Sequence, residues 1–224
     1  FSSLHFLMAT KQEISRVFDK FVYDRVEKDF ADAILKLEFW KSAEIDTKNN
    51  EANEILNELV EFALREPDAI LKAFVEIGGQ LEGEQRRRLV SALFRETRLW
   101  HISYHAKAML LDKGRRNITI FLGGLYLNSL ISIGEIRSSL EELLEYREKS
   151  HNSSTATACV LMEKVGKKFA LEERSQFATK EAYESRSAFT LLNKAKFGTD
   201  GNVREEIDNQ VKNQWMYLKD YDAI

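Results

Sequence analysis

Apolar residues return every three or four positions along almost the whole of this chain, and a single proline, Pro67, interrupts them. That spacing is the stripe of an amphipathic helix. One proline and ten glycines are too little punctuation for a sandwich or barrel of many short strands with Gly/Pro turns. Long helices are therefore the expected secondary structure. At 224 residues the chain exceeds the commonest domain size of roughly 100–150 residues, yet fits one elongated domain or repeat array. With 44% hydrophobic and 31% charged residues it has enough apolar surface to build a core, which excludes wholesale disorder.

The stripes can be followed in order. From Ile14 through Val17, Phe21, Val26, Phe30 and Leu37 the spacing predicts one long helix ending near Trp40, and Asn50 is placed to cap the next. Ile55, Leu56, Leu59, Val60 and Phe62 form a second stripe that ends at Pro67, because proline disfavours helix for the residue before it and suits a new first turn. A third helix through Ile70, Leu71, Phe74 and Val75 is expected to stop at Gly78-Gly79. The stripe after Gly83 runs to Leu110 and closes at Gly114. Ile118, Phe121, Leu122 and Leu125 are then followed, after Ser132 to Gly134, by Ile136, Leu140 and Leu143, which predicts a helical hairpin. His151 to Ser154 reads as a polar loop, Cys159 to Val165 as a helix stopping near Gly166, Leu171 to Phe197 as a mostly polar helix, and a final short helix lies beyond Gly201. Helix pairs of about 30 to 40 residues without a heptad seam favour an all-α solenoid of stacked hairpins over a bundle.

Three blocks in this array carry a resemblance. Arg115-Arg-Asn-Ile-Thr-Ile-Phe-Leu-Gly-Gly-Leu-Tyr126 resembles a "basic pair, then Phe-Ile-Gly-x-Leu-Phe/Tyr" segment. Ile55 to Pro67 is similar to a "Leu-hydrophobic-x-x-Ala-x-x-Glu-Pro" hairpin, and Cys159 to Gly166 to a "Leu-Leu-x-x-hydrophobic-Gly" helix end. These three patterns are those of the middle domain of eukaryotic translation initiation factor 4G, in the same order and spacing, and the resemblance covers about residues 50 to 170. The chain departs from that pattern at Ile118, where the family often has Asn, and at Gly124, where it often has Glu. The resemblance implies a HEAT-repeat platform that docks DEAD-box RNA helicases and sometimes RNA, with no catalytic activity of its own. The expected architecture is a right-handed α-solenoid of about five HEAT-like hairpins over residues 11–198. Residues 1–10 are set aside as a tag remnant or disordered N-terminus, since Phe1 to Met8 lacks the basic start of a secretion signal. Residues 199–224 form an acidic, aromatic C-terminal helix or tail packed on the last repeat.

A net charge of −3 and a pI near 5.9 hide local contrasts along the chain. Residues 86 to 116 are locally basic, with Arg86, Arg87, Arg88, Arg95, Lys113, Arg115 and Arg116 as a candidate edge for phosphate or an acidic partner. The bland reading is a solvated charged face. Trp215, Tyr217 and Tyr221 in the acidic tail are candidate docking residues, against the alternative of a helix that covers the last hairpin. Gly123 and Gly124 sit inside a helical stripe, where each costs about 1 kcal/mol relative to alanine, so close approach of a neighbouring helix is expected there.

Other chemistry is sparse. His101 and His105 have the spacing of a two-histidine zinc pair but no third ligand, so no metal site is assigned. Cys159, the one cysteine, reads as a buried small hydrophobe, and a lone thiol fits a reducing cytoplasmic or nuclear setting. Asn117-Ile-Thr119 and Asn152-Ser-Ser154 match the glycosylation sequon but would stay unmodified in such a compartment. No phosphate-loop, dinucleotide or nucleophile-elbow signature occurs, so no catalytic residue and no cofactor is assigned. No apolar run is long enough to span a membrane. The expected function is a non-catalytic adaptor in mRNA metabolism (translation, decay or splicing) whose partners are a DEAD-box helicase or translation factor, with RNA the weaker ligand. The alternative is a helical-repeat scaffold for an assembly unrelated to RNA.

Overall fold

A computed structural model describes residues 12, 16–17, 60–63, 65, 67–80, 83, 90–91, 94–95, 97, 112–145 and 151–219. Every regular element among them is helical. The chain divides into two compact units, residues 1–100 and 101–224. The expected helix from Ile14 to Trp40, the Asn50 cap and the segment 1–10 lie outside the described residues, apart from isolated positions.

In the first unit, α1 spans Pro67–Gln80 and begins on its proline, as the fixed φ of that residue favours. The joint before it is closed by the Arg65 N–H donating to the Phe62 carbonyl at 3.0 Å. Ile70, Phe74 and Ile77 form the buried stripe of α1 together with Ala73. The helix runs through Gly78-Gly79 rather than stopping there, and the left-handed backbone sits at Gly83, with φ +56°. Glycine permits that conformation but does not demand it, so a helix with a buried stripe continues across the pair.

The second unit holds α2 (Asp112–Leu127), α3 (Ile133–Glu145), α4 (His151–Ser175), α5 (Lys180–Arg186), α6 (Ala188–Ala195) and α7 (Gly201–Leu218). The predicted hairpin is α2 and α3. Gly114 falls inside the first turn of α2 and does not end a helix. At the other end Ser129 adopts φ 57°, and the Leu130 N–H donates to Leu125 O at 2.9 Å while Ser129 N–H donates to Tyr126 O at 2.8 Å. This is the Schellman arrangement, closed by the buried Leu125 and Leu130. Ser132 and Glu135 then start α3 as a capping box: the Glu135 carboxylate accepts the Ser132 N–H at 2.6 Å and the Ser132 hydroxyl accepts the Glu135 N–H at 3.4 Å.

Three sequence expectations change in the last hundred residues. His151 to Ser154 belongs to α4 and is no loop. The break expected at Gly166 is a kink, with φ 41° and ψ −126°, after which the same helix continues to Ser175. The polar helix expected from Leu171 to Phe197 is three pieces, because Thr179 and Ser187 each take extended backbone and cap a new start, accepting the Ala182 and Thr190 N–H groups. Asp200 caps α7 in the same way through Val203.

These helices form two layers. Gly123 of α2 lies against Leu161 and Lys164 of α4, and Tyr126 against Lys168 and Phe169, so α2 and α4 run in the same direction. Asn152 bonds Asp200, and Gly166 faces the Tyr217 hydroxyl, so α7 also runs with α4, on its other flank. α3 and α6 pack on each other and on α4 to make the second layer. The core between the layers contains Phe121, Tyr126, Leu140, Phe169, Phe189 and Leu192.

Gly123 of α2 packs closely against α4. A Cβ placed there would lie 2.7 Å from Lys164 Cγ and 3.4 Å from Leu161 Cδ1, which is the close approach expected from the sequence. Gly123→Val is expected to lower the unfolding free energy by about 1–3 kcal/mol in denaturant titration, through overpacking. Gly201→Ala, where no described residue lies within 4 Å of the added Cβ, is the matched control and should be neutral or slightly stabilising.

Candidate functional site

An open cleft of about 500 Å³ lies between α4 and α7 of the second unit. Its α4 wall is Cys159, Val160 and Glu163. Its α7 wall carries Glu206, Asn209, Asn213 and Met216, one flank of the helix by their three- and four-residue spacing. Gln210 and Lys212 complete the lining, and Arg116 reaches it from α2. The opposite flank of α7 is occupied in the fold: Val203, Ile207, Gln214 and Leu218 are buried, and the Gln214 amide donates to the Tyr183 hydroxyl at 2.7 Å.

Burial pushes the Cys159 thiol up to about 12, and the carboxylates of Glu206 and Glu163 add to the shift. The thiol therefore stays protonated at neutral pH and serves as part of an apolar floor, as its helical position predicted. Glu163 on α4 and Glu206 on α7 both line this volume.

A second cluster lies between α3, α4 and α6. Glu173 is 0% exposed, and its Oε1 accepts the Ala188 N–H at 2.9 Å. Among the described residues its Oε2 has no hydrogen-bond partner, and the Arg137 guanidinium stands 3.7 Å from Oε1. Arg137 is itself held by Glu141, by the Arg186 carbonyl and over the Phe177 ring. Burial pushes the Glu173 carboxyl up to about 7, against the downward pull of the Ala188 N–H and of Arg137.

Part of the set nominated from sequence falls among the described residues. Arg86, Arg87, Arg88, Tyr221, His101 and His105 lie outside the described residues. Arg95 is half-buried in the first unit, while Lys113 and Arg115 are placed in the first turn of α2 with their side chains outside the described set. Arg116 is exposed and is the member of the basic edge that the fold brings to the cleft. Trp215 is 44% exposed on the outer side of α7, away from the cleft lining, whereas Tyr217 is half-buried beside Gly166. Residues two apart on a helix do not face the same way, so these two aromatics make no common patch. Both sequons fall inside helices, with Asn117 and Ser154 buried.

Sequence reasoning missed Asn209, Gln210, Asn213, Glu163 and Glu206. The available signal was the recurrence of Glu206, Asn209, Asn213 and Met216 at helical spacing, a polar stripe beside the buried one. Among the described residues no three His, Cys, Asp or Glu side chains are grouped to hold a metal ion, and no helix is long and apolar enough to cross a membrane. Comparison with protein-family models, curated proteins and solved structures finds no match.

Proposed function

We propose that this chain is a non-catalytic helical-repeat adaptor in mRNA metabolism, acting in translation, decay or splicing, in the cytoplasm or nucleus. In this reading α2–α3 and α4–α6 are successive hairpins of a right-handed α-solenoid and α7 opens the next. The observation that carries it is the order of the layers: α2, α4 and α7 follow one another in the same direction, with α3 and α6 behind them. That is how stacked hairpins bury their faces against sequence neighbours. The three blocks similar to the translation initiation factor 4G middle domain support the choice of partner, a DEAD-box RNA helicase or translation factor, with RNA second. Its mode of action is binding. An array that holds two partner surfaces in fixed positions favours one conformation of a helicase by its differential affinity for the two.

Affinity capture from a cell extract, followed by reconstitution with the purified partner, tests this reading. A DEAD-box helicase that binds directly, at a strength unchanged by nuclease, is the expected result. Recovery of coat or cytoskeletal proteins without a helicase, translation factor or RNA-binding protein would move the chain to the scaffold reading.

A further inference from the structure

The buried carboxyl of Glu173 is covered by a lightly packed element. Helix α5 buries one side chain, Tyr183, and exposes Lys180, Glu181, Glu184 and Arg186. By contrast α3 buries Ile136, Leu140, Leu143 and Leu144, and α6 buries Phe189 and Leu192. The turn from α5 into α6 passes over the carboxyl: Ser187 and Ala188 are buried there, and the Ala188 N–H donates to Oε1. The further ties of this segment are polar or aromatic. Arg137 donates to the Arg186 carbonyl at 2.9 Å, Tyr183 meets Phe177 edge-on at 5.5 Å, and the Tyr183 hydroxyl accepts the Gln214 amide of α7.

Charged groups reach Glu173 from several elements. On α3, Arg137 favours the ionised form, and Glu141, which shares that guanidinium, disfavours it. On α4 itself, Glu172 is bonded to the Tyr126 hydroxyl of α2, and Arg174 is turned to the Phe177 carbonyl and the Tyr183 ring. Burial and Glu172 hold the Tyr126 phenol well above its ordinary value, so it stays neutral. The charged side chains of α5 are exposed, as is Lys194 of α6, and α7 approaches through the neutral Gln214. Ionised Glu173 is thus answered by one shared cation and one N–H group. With Oε1 bonded and Oε2 buried without a partner among the described residues, a bound proton sits on Oε2, and its loss leaves a charge that only water can complete.

Water reaches Oε2 most cheaply where the cover is lightest. Lifting α5 and the turn at Ser187 exposes one large side chain, whereas moving α3 or α6 opens the core around Phe169 and Phe189. We propose that residues 180–188 are a strap that closes over the protonated Glu173 carboxyl and lifts when that carboxyl ionises, releasing the tie from Tyr183 to Gln214 of α7. The strap follows from the chemistry of the second unit and goes beyond the adaptor reading, which stands whether or not the strap opens.

Amide hydrogen exchange of the full chain, read by mass spectrometry and corrected for intrinsic rates, tests this. Glu173 holds its proton up to about pH 7, against 4.5 for an ordinary carboxyl. Protection of residues 180–188 should therefore fall on the order of fiftyfold between pH 5 and pH 8, most of it below pH 7. At pH 8 the strap should exchange at least tenfold faster than α2 and α4, at a rate that low urea does not change, as local opening requires. Glu173→Gln should keep the strap equally protected at both pH values. Tyr183→Phe should lower its protection at pH 5 roughly fivefold, the size of one buried hydrogen bond, and keep the pH dependence. Strap protection that does not change with pH in the parent chain, or that equals the protection of α2 and α4 at pH 8, overturns the proposal. So does a pH dependence that persists in Glu173→Gln, or a strap that Tyr183→Phe leaves unchanged.

Discussion

Replacing Phe169 with alanine is expected to lower the unfolding free energy by about 3–5 kcal/mol, the largest single effect among the substitutions considered. Phe169 is 0% exposed and joins both layers of the second unit. Its ring meets Tyr126 of α2 edge-on at 6.2 Å and lies 6.3 Å from Phe189 of α6. Truncation removes the transfer energy of the ring and leaves a cavity that three helices would have to close together. Tyr126 is also anchored through its hydroxyl to Glu172 at 2.8 Å, so it is not free to move into the space. Denaturant titration followed by circular dichroism reads the loss. Phe197→Ala is the control of the same chemistry: that ring is 87% exposed, and its removal should change stability by less than about 0.5 kcal/mol. Equal losses in the two variants would mean that Phe169 does not hold the layers together.

Glu173→Gln is expected to stabilise the protein at alkaline pH and to flatten its pH dependence. The folded chain holds the Glu173 proton up to about pH 7, whereas an ordinary carboxyl of this kind releases it near 4.5. Between those values the folded state binds more protons than the unfolded one, so this group's contribution is fully present below 4.5 and is lost as pH rises through 7. The displacement corresponds to on the order of 3 kcal/mol. Glutamine keeps the carbonyl that accepts the Ala188 N–H and removes the charge that burial penalises. At pH 8 the variant should therefore unfold at higher denaturant, by about 1–3 kcal/mol, and the gap should close as pH falls toward 4.5. A variant less stable than the parent at pH 8 would show that the contact with Arg137 outweighs the desolvation of the carboxylate.

Helix placement was legible wherever one residue type admits few conformations. Pro67 marked the start of α1, the stripe from Ile118 to Leu143 marked the hairpin of α2 and α3, and paired glycines inside a stripe marked the close contact at Gly123. Glycine proved a poor stop signal at Gly78-Gly79 and Gly114, because its freedom allows a break without imposing one. The starts at Thr179 and Ser187 were carried by single hydroxyls with no glutamate three residues on, so nothing distinguished them from surface polar residues. Ser132 and Glu135, by contrast, have the full capping-box spacing. Glu173 sits in the run Leu171-Glu-Glu-Arg174, which reads as a solvated face. That one of its two glutamates is fully enclosed depends on where Ala188 returns, which no local pattern encodes. The cleft escaped notice for a related reason: periodicity reveals the face a helix buries, and Asn209 and Asn213 are on the face beside it, in the open cleft.

The common direction of α2, α4 and α7 has an electrical consequence. Each helix places roughly half a positive charge at its first turn and half a negative charge at its last. Antiparallel neighbours cancel these ends, but three helices pointing the same way add them. One rim of the unit, where Asp112, His151 and Gly201 begin their helices, is thus more positive than a tally of side chains gives. The other rim is correspondingly negative, and there the Lys168 ammonium donates to the carbonyls of Tyr126 and Leu127 at 3.0 and 3.3 Å. The acidic side chain of Asp200 at the opening of α7 answers the positive rim in turn. In the second unit the layer of α2, α4 and α7 gains this polarity from peptide bonds alone, and the oppositely directed α3 and α6 behind it offset part of it.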